Sequence, residues 1–511
     1  MNEGKRLNVL LANAYYQRLD AKQAEKGKPY PPLATLYVAA NLRQLGFKVA
    51  LFDALLAENE RAFERALDEH RPSAVVLFED NFNFLSKMCL TRMREAALTM
   101  VAAAPRGGAA VMVSGSDVTD HPDVYLAAGA HVAIIGEGDH TVHEVLQWWQ
   151  DGHHAEELPI HIDGLAFTVG NDVHRTASRA NERHPDVFAH PARDLVDIEA
   201  YRAAWVDRHG YFSLNMVSTR GCPFHCNWCA KPIWGQRYAM RTARDVALEL
   251  ADVKESIGPD HIWFADDIFG LRSAWVTEFA DAVTELDAHI PFTMQSRCDL
   301  MSTEAVAGLA RAGCQEVWLG AESGSQAVLD AMDKGITVDE IRAARQRLGE
   351  AGIRACFFVQ FGYPGERWRD IEATIALVRD ALPDDIGVSV SYPLPGTRFH
   401  EMVAQDLTEK VNWEVSNDLE MMFRGTYTST FYRRLHLALH DDLDLRRREK
   451  GLSRARHAML PEVPVDEHRT RVAVAWDEVA ELERTCRNSR PTMLVRSSPP
   501  PEAPSLALPF N

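Results

Sequence analysis

The chain has 511 residues with 55 Lys and Arg against 73 Asp and Glu, a formal charge of −18. At about 150 residues per domain this length predicts roughly three domains. Apolar residues at 46% and charged residues at 25% exclude wholesale disorder. The negative charge argues against a general nucleic-acid coat, which cationic patches would drive. No window holds about 18 uninterrupted apolar residues, and the first six residues have no apolar h-region of a signal peptide behind them. These features predict a soluble, unexported protein.

In the first 150 residues, apolar strands alternate with helices. Strands are predicted over Leu7–Ala12, Phe47–Phe52, Ala74–Phe78, Ala109–Ser114 and His131–Ile135. Helices are predicted over Leu33–Leu45, Asn59–His70, Phe84–Ala104, Pro122–Ala128 and Thr141–Gln150. The fold class is therefore α/β, beginning with a doubly wound parallel sheet whose ligand belongs at the strand C-terminal ends. Those ends carry Asn13, Glu79, Asp80, Asn81, Ser114, Gly115, Ser116, Gly136, Glu137 and Gly138. Residues 151–213 read as a connector, with a hairpin turning at Gly170-Asn171 and a polar, irregular stretch Ala177–Pro191.

A second series supplies strands over Leu214–Ser218, His261–Ala265, Phe292–Ser296, Glu316–Ala321, Ala355–Phe361 and Gly387–Tyr392. Intervening helices over Thr242–Ile257, Ser273–Ala288, Thr303–Ala312, Val338–Ala351 and Glu366–Leu382 make a partial barrel of six βα units across 214–400. Residues 401–489 read as a helical C-terminal region, and 490–511, rich in Pro and Ser, as a disordered tail.

Three of the eight cysteines lie within eight residues, Cys222, Cys226 and Cys229, directly after the first barrel strand. Zinc sites usually take four ligands in two separated pairs, and no second pair follows here. Three thiolates on one loop suit a four-iron cluster with one open iron. The other five cysteines, Cys89 among them, read as reduced core or surface thiols.

The spacing Cys-x3-Cys-x-aromatic-Cys, with Trp228 as the aromatic, resembles the radical S-adenosylmethionine (radical SAM) superfamily. That resemblance implies a 4Fe-4S cluster whose open iron chelates SAM, and cleavage of SAM to methionine and a 5′-deoxyadenosyl radical. Further stretches resemble the family's strand ends: Asp266 to Phe269, Ser296-Arg297, Glu322 to Gly324, Lys334-Gly335, Gly362 to Glu366 and Pro393 to Thr397. On this resemblance Phe224, Trp228, Asp266, Ser296, Arg297, Glu322, Lys334 and Gly362 are expected to line SAM. Glu322 and Ser296 are suited to a ribose or an amino group, and Arg297 or Lys334 to a carboxylate.

A doubly wound domain ahead of such a barrel resembles the cobalamin-binding subgroup of anaerobic magnesium-protoporphyrin ester cyclases and cobalamin-dependent methylases. The matching stretches are Pro31 to Ala40, Ser114-Gly115-Ser116 and Gly136-Glu137-Gly138. The resemblance adds Pro32 and Leu33 to the strand-end residues above as cobalamin contacts. The chain has no Asp-x-His-x-x-Gly, so it names no histidine as lower ligand of cobalt. A dinucleotide site is disfavoured because Gly-x-Gly-x-x-Gly is missing after the first strand. The stretch Glu79–Arg94 reads as helix core or as a wall on the corrin.

The resemblance implies methyl transfer to an unactivated carbon or phosphorus of a small molecule, with radical cyclisation or oxidation as the rival. A corrinoid-binding sensor is opposed by the intact cysteines. An electron donor such as flavodoxin or ferredoxin and a cytoplasmic location are expected. Met421, Met422, Phe423, Arg424 and Tyr427 are expected to help form the substrate pocket between the two domains.

Overall fold

The computed structural model describes residues 7–487 apart from 84–85, 87–89, 411, 414–418, 457 and 459–460. The expected tail 490–511 and Cys89 fall outside the described residues, as does most of the start of the helix expected from Phe84. Its described part is Thr91–Ala103.

The first unit is a seven-stranded sheet. Its parallel strands are β1 (Asn8–Ala12), β2 (Lys48–Phe52), β3 (Ala74–Phe78), β4 (Ala110–Ser114) and β5 (Val132–Ile134). The hairpin β6 (Leu165–Val169) and β7 (Asp172–Arg175) continues it antiparallel, in the order β2-β1-β3-β4-β5-β6-β7. The sheet thus extends past residue 150 into the stretch expected as connector. Ala133 of β5 lies opposite Ala166 of β6, so the hairpin covers an edge that β5 would otherwise leave open. Strand alternation sends Val9, Leu11, Val76 and Phe78 to one face. Leu10, Ala12, Val75 and Leu77 join the other face, whose apolar cluster continues into the second unit.

The second unit holds β8 (Ser213–Met216), the short pair β9 (Thr219–Gly221) and β10 (Tyr238–Met240), then β11 (His261–Phe264), β12 (Phe292–Ser296), β13 (Cys314–Glu322), β14 (Arg354–Phe361) and β15 (Asp385–Val390). Six of these form a parallel sheet, β15-β14-β13-β12-β11-β8, open between its outer strands. β9 and β10 pair antiparallel as a separate hairpin whose loop contains the three cysteines. Helices fill the crossovers and begin where the sequence supplies caps: Thr242 accepts from Asp245 N, Ser302 from Ala305 N, and Thr337 with Glu340 forms a capping box.

Segment 29–31 of the first unit runs against β8. Asn215 Nδ2 donates to Pro31 O at 2.9 Å, Trp205 Nε1 to Pro29 O at 2.6 Å, and the Tyr30 and Ser213 hydroxyls are 3.0 Å apart. Two 21-residue helices, Ser429–Glu449 and Val465–Thr485, close the C-terminal region. Asp442 ties them to the barrel, accepting from Arg379 at 2.8 Å, Arg446 at 2.9 Å and Trp476 Nε1 at 3.3 Å. No described helix is long and apolar enough to cross a membrane.

Candidate active site

The loop between β9 and β10 carries Cys222, Cys226 and Cys229, all partly exposed free thiols. Asp266, fully buried at the end of β11, fixes its entry: it accepts from Ser218 N at 2.8 Å and Oγ at 3.1 Å, and from Thr219 N at 2.5 Å and Oγ1 at 2.6 Å. Asp266, expected as a SAM contact, is engaged by four donors of its own chain. Gly221 follows with φ +75°, and a Cβ there would stand 2.4 Å from the Arg237 carbonyl oxygen across the hairpin, so only glycine lets β9 and β10 close.

Inside the loop, Lys231 Nζ donates to the carbonyls of Cys222, at 3.0 Å, and Phe224. Asn227 braces the loop on the segment after β13: its N–H donates to Met332 O at 3.1 Å, its Nδ2 to Ala331 O at 2.7 Å and to Asp333 Oδ2 at 3.2 Å, and its carbonyl accepts from Phe399 N at 3.0 Å. Arg297 lies over the Phe224 ring at 3.7 Å, with Nη1 4.0 Å from Cys226 Sγ, while its fork is held by Asp299 at 2.9 and 3.1 Å.

Burial raises the Cys222 thiol and pushes Cys229 up to about 12, and in each case the neighbouring thiolates add to the rise. Three thiolates here need nearby positive charge, which iron supplies on binding. Among the described residues no three His, Cys, Asp or Glu side chains form a single-ion nest. A cluster contacted at separate corners does not require one. The loop fits a three-thiolate cluster.

Glu322 and Lys334, both expected at SAM, form a buried ion pair at 2.8 Å with each other. Burial opposes the Lys334 charge, but Glu322 and the Cys226 thiolate together outweigh it and hold the amine above its ordinary value. Glu322 itself takes φ +59° at a register shift between β13 and β14. Ser296 Oγ donates to Phe269 O at 3.0 Å. Gly362 N donates to Glu366 Oε2 at 2.6 Å, and the space beside Gly362 is filled by Met421 and Tyr432. Met421 therefore reaches the strand ends. Tyr427 turns away, its hydroxyl donating to Glu483 at 2.9 Å on the last helix.

The strand ends of the first sheet form a second polar cradle. Asn13 Oδ1 accepts from Ala54 N at 3.0 Å. Asp80 Oδ1 accepts from Ala34 N at 3.0 Å, just inside the helix Leu33–Gln44, whose N-terminus is flanked by the buried Pro32 and Leu33. Glu79 Oε1 accepts from Ala14 N at 2.9 Å, and burial pushes its carboxyl up to about 8. The Asn81 Oδ1, Ser114 Oγ, Ser116 Oγ and Thr141 Oγ1 atoms are buried with no hydrogen-bond partner. Such atoms occur elsewhere in the chain too, but these four lie at or after the ends of β3, β4 and β5, where a doubly wound sheet holds its ligand, and they fit one rich in amides and hydroxyls, as cobalamin is. Thr141 was not singled out in the sequence, because a threonine in the first turn of a helix reads as ordinary.

Arg220, two residues before the first cysteine, likewise carries no local sequence signal of its role. It is 5% exposed and reaches the first unit, donating from Nη1 to Glu137 Oε1 at 2.7 Å and to Asp139 Oδ2 at 2.8 Å, and from Nη2 to Asp139 Oδ1 at 3.1 Å. Burial disfavours its charge, and Asp139 and Glu137 more than restore it. Glu137, expected to touch cobalamin, is thus engaged across the domain boundary. A small cavity beside it is lined by Phe78, Asn81, Phe82, Arg220, Ile233 and Trp234.

Residues 216–378 match the radical SAM superfamily model, and residues 24–146 match the B12 binding domain model. The chain is a radical SAM enzyme with an N-terminal B12-binding domain. Its cofactors are a 4Fe-4S cluster, SAM and cobalamin. The chain is 26% identical over 349 residues to an uncharacterised methyltransferase of Pyrococcus horikoshii, covering 65% of this chain and 74% of that one. It is 23% identical over 397 residues to the hopanoid C-3 methylase of Methylococcus capsulatus, covering 74% and 70%. The solved structure of the cobalamin-dependent SAM radical enzyme OxsB with aqua-cobalamin superposes with a TM-score of 0.70 at 14% identity, over 93% of this chain and 72% of that one. That likeness is one of fold.

Proposed function

We propose that this enzyme is a cobalamin-dependent methyltransferase acting on an unactivated carbon, or phosphorus, of a small molecule. The observation that supports this most is the docking of the cysteine hairpin onto the strand-end cradle of the first unit, through Arg220 on Glu137 at 2.7 Å. It joins the two cofactor sites at one boundary, where a substrate can meet both. The methyltransferase relatives support the same reading. When bound, the cluster with SAM supplies hydrogen-atom abstraction and cobalamin supplies the methyl group.

The chain's own residues then have distinct parts. Cys222, Cys226 and Cys229 hold the cluster, with Lys231 and Asn227 fixing the loop. Ser296, Arg297 and the Glu322–Lys334 pair line the SAM side, while Phe224 presents its ring to Arg297 at 3.7 Å. Asn81, Ser114, Ser116 and Thr141 offer their unpaired polar atoms to cobalamin. Met421 beside Gly362 belongs to the substrate wall. Electrons come from an external donor of the flavodoxin or ferredoxin class, and the seven described free thiols suit the reducing cytoplasm.

The test incubates the anaerobically reconstituted enzyme with methyl-deuterated SAM and a small-molecule extract. Mass spectrometry is expected to find one labelled product, with one S-adenosylhomocysteine and one 5′-deoxyadenosine per product. One SAM gives up its methyl and a second is reductively cleaved. Deoxyadenosine formed with substrate but without S-adenosylhomocysteine replaces this reading by cyclisation or oxidation.

A further inference from the structure

The hairpin that carries the cysteines reaches the B12-binding domain by two arms. The first is Arg220, forked onto Glu137 and Asp139 at 2.7 to 3.1 Å, its guanidinium also over Phe188 at 4.2 Å. The second is Trp234, at the far end of the cysteine loop. Its Nε1 donates to the same Glu137 oxygen at 3.3 Å, and its ring stacks on Phe82 at 5.3 Å and 24°. The other Glu137 oxygen accepts from Glu182 N at 2.7 Å. One buried carboxylate therefore gathers three segments: the start of the cysteine loop, its end, and the chain joining the domains.

The backbone around Arg220 is fixed independently of this contact. Thr219 is held by Asp266 at 2.5 Å, and Gly221 closes against Arg237. With the main chain pinned at both neighbours, the guanidinium transmits position between the units. A planar fork on a rigid backbone does this with far less slack than a single flexible contact. Glu137 lies in the turn after β5, and Phe82 in the turn after β3, next to the unpaired Asn81 Oδ1. Both arms thus end on the turns that form the cobalamin cradle.

We propose that Arg220 is a positioning residue which, through Glu137 and Asp139, sets the distance between the cluster and cobalamin. The proposal rests on the cobalamin reading above. Neither Arg220 nor Glu137 touches a reacting atom in it. Their part is to make the cradle and the cysteine loop one rigid body.

The test is pulsed dipolar electron paramagnetic resonance between cob(II)alamin and the reduced cluster in the full-length holoenzyme, with iron and cobalamin content measured on each sample. The wild type is expected to give one narrow distance distribution. Arg220→Gln, at equal iron and cobalamin content, is expected to shift or broaden it by about 1 Å or more, a displacement sufficient to cost about 100-fold in turnover. Arg220→Lys, which keeps the charge and loses the fork, is expected to lie between. A stabilising contact without a positioning role leaves the distance unchanged in every variant that loads. Where Arg220→Gln fails to load, Glu137→Gln and Asp139→Asn carry the measurement with Arg220 in place. A wild-type distribution in all loaded variants overturns the proposal. A wild type that loads both cofactors with a sharp distance yet methylates nothing leaves the positioning role of Arg220 standing and removes the methyltransferase reading.

Discussion

Asp266 carries a prediction whose size follows from its surroundings. Its carboxylate is fully buried and accepts two backbone N–H groups and two hydroxyls from Ser218 and Thr219, at 2.5 to 3.1 Å. Asp266→Ala removes the acceptor for both N–H groups. The Thr219 hydroxyl retains an alternative in Ile268 O at 3.2 Å, but the two amides have none. A buried donor left without a partner costs about 1–3 kcal/mol, so the pair costs roughly 2–6 kcal/mol before any cavity is counted. Asp266→Asn keeps one oxygen toward the amides and turns its Nδ2 to the Ser218 hydroxyl, which accepts after rotating, for about 1–2 kcal/mol. Because the chain has more than one domain, a single unfolding midpoint would blend them. Hydrogen exchange of the peptide spanning 216–222, compared with a barrel peptide such as 354–361, reads the local effect. The expected result is loss of protection at 216–222 in the alanine variant, partial loss in the asparagine variant, and lower iron content on reconstitution in the same order. Wild-type protection and wild-type iron in Asp266→Ala would refute the argument that this carboxylate holds the cysteine loop in place.

Two further predictions concern stability. Glu366 is 1% exposed, with one oxygen on Gly362 N at 2.6 Å and the other unpartnered, and burial pushes its carboxyl from 4.5 up to about 8. The folded protein then holds a proton that the unfolded chain releases. Stability is full below about pH 4.5 and falls by up to about 1.4 kcal/mol per pH unit as pH rises toward 8. Glu366→Gln removes that slope, so hydrogen exchange of a peptide spanning 354–366 should show the variant gaining protection on the wild type at pH 8.5 and matching it at pH 5, each pair compared at the same pH; equal differences at both pH values contradict this. At Gly324, a Cβ would stand 2.2 Å from Ala373 O and 2.7 Å from Thr374 Cα, both backbone of the helix Trp368–Ala381. Gly324→Ala is expected to cost about 1–3 kcal/mol or more, read as lost hydrogen-exchange protection of a peptide spanning 368–381, whereas Gly107→Ala, with open space around it, is expected to leave the exchange of its own peptide near wild type.

The parallel strands were legible because each is a short apolar run between turn residues. Ala74–Phe78 was placed to the residue, and Leu7–Ala12 and Ala109–Ser114 to within one. The hairpin after β5 was legible as a hairpin but not as part of the first sheet. β7 reads Asp-Val-His-Arg and is exposed at every position, so it carries no apolar face to announce a partner. The cysteine loop was legible because thiol spacing is itself a chemical signature. For the charged side chains at the strand ends the local sequence leaves two roles open, for a physical reason. A carboxylate at the mouth of a sheet serves equally well as a ligand contact or as an anchor for its own chain, and sequence does not show which donors fold against it. Asp266 turned inward onto Ser218 and Thr219, Glu322 onto Lys334, and Glu137 onto Arg220. Each has a donor made available by a separate element, a geometry that no local pattern encodes. The small hydroxyl and amide groups divide between the two uses: Asn13, Asn227 and Ser296 bond their own chain, and others are left open. The Ser114 Oγ, Ser116 Oγ, Asn81 Oδ1 and Thr141 Oγ1 atoms are buried and unpaired at or after the ends of β3, β4 and β5, the positions at which a doubly wound sheet holds its ligand. Side-chain type alone therefore does not assign a role at these strand ends: what separates a brace from an open contact is whether another element brings a partner within reach, as Ser218 and Thr219 do for Asp266 and no described group does for Ser114 Oγ.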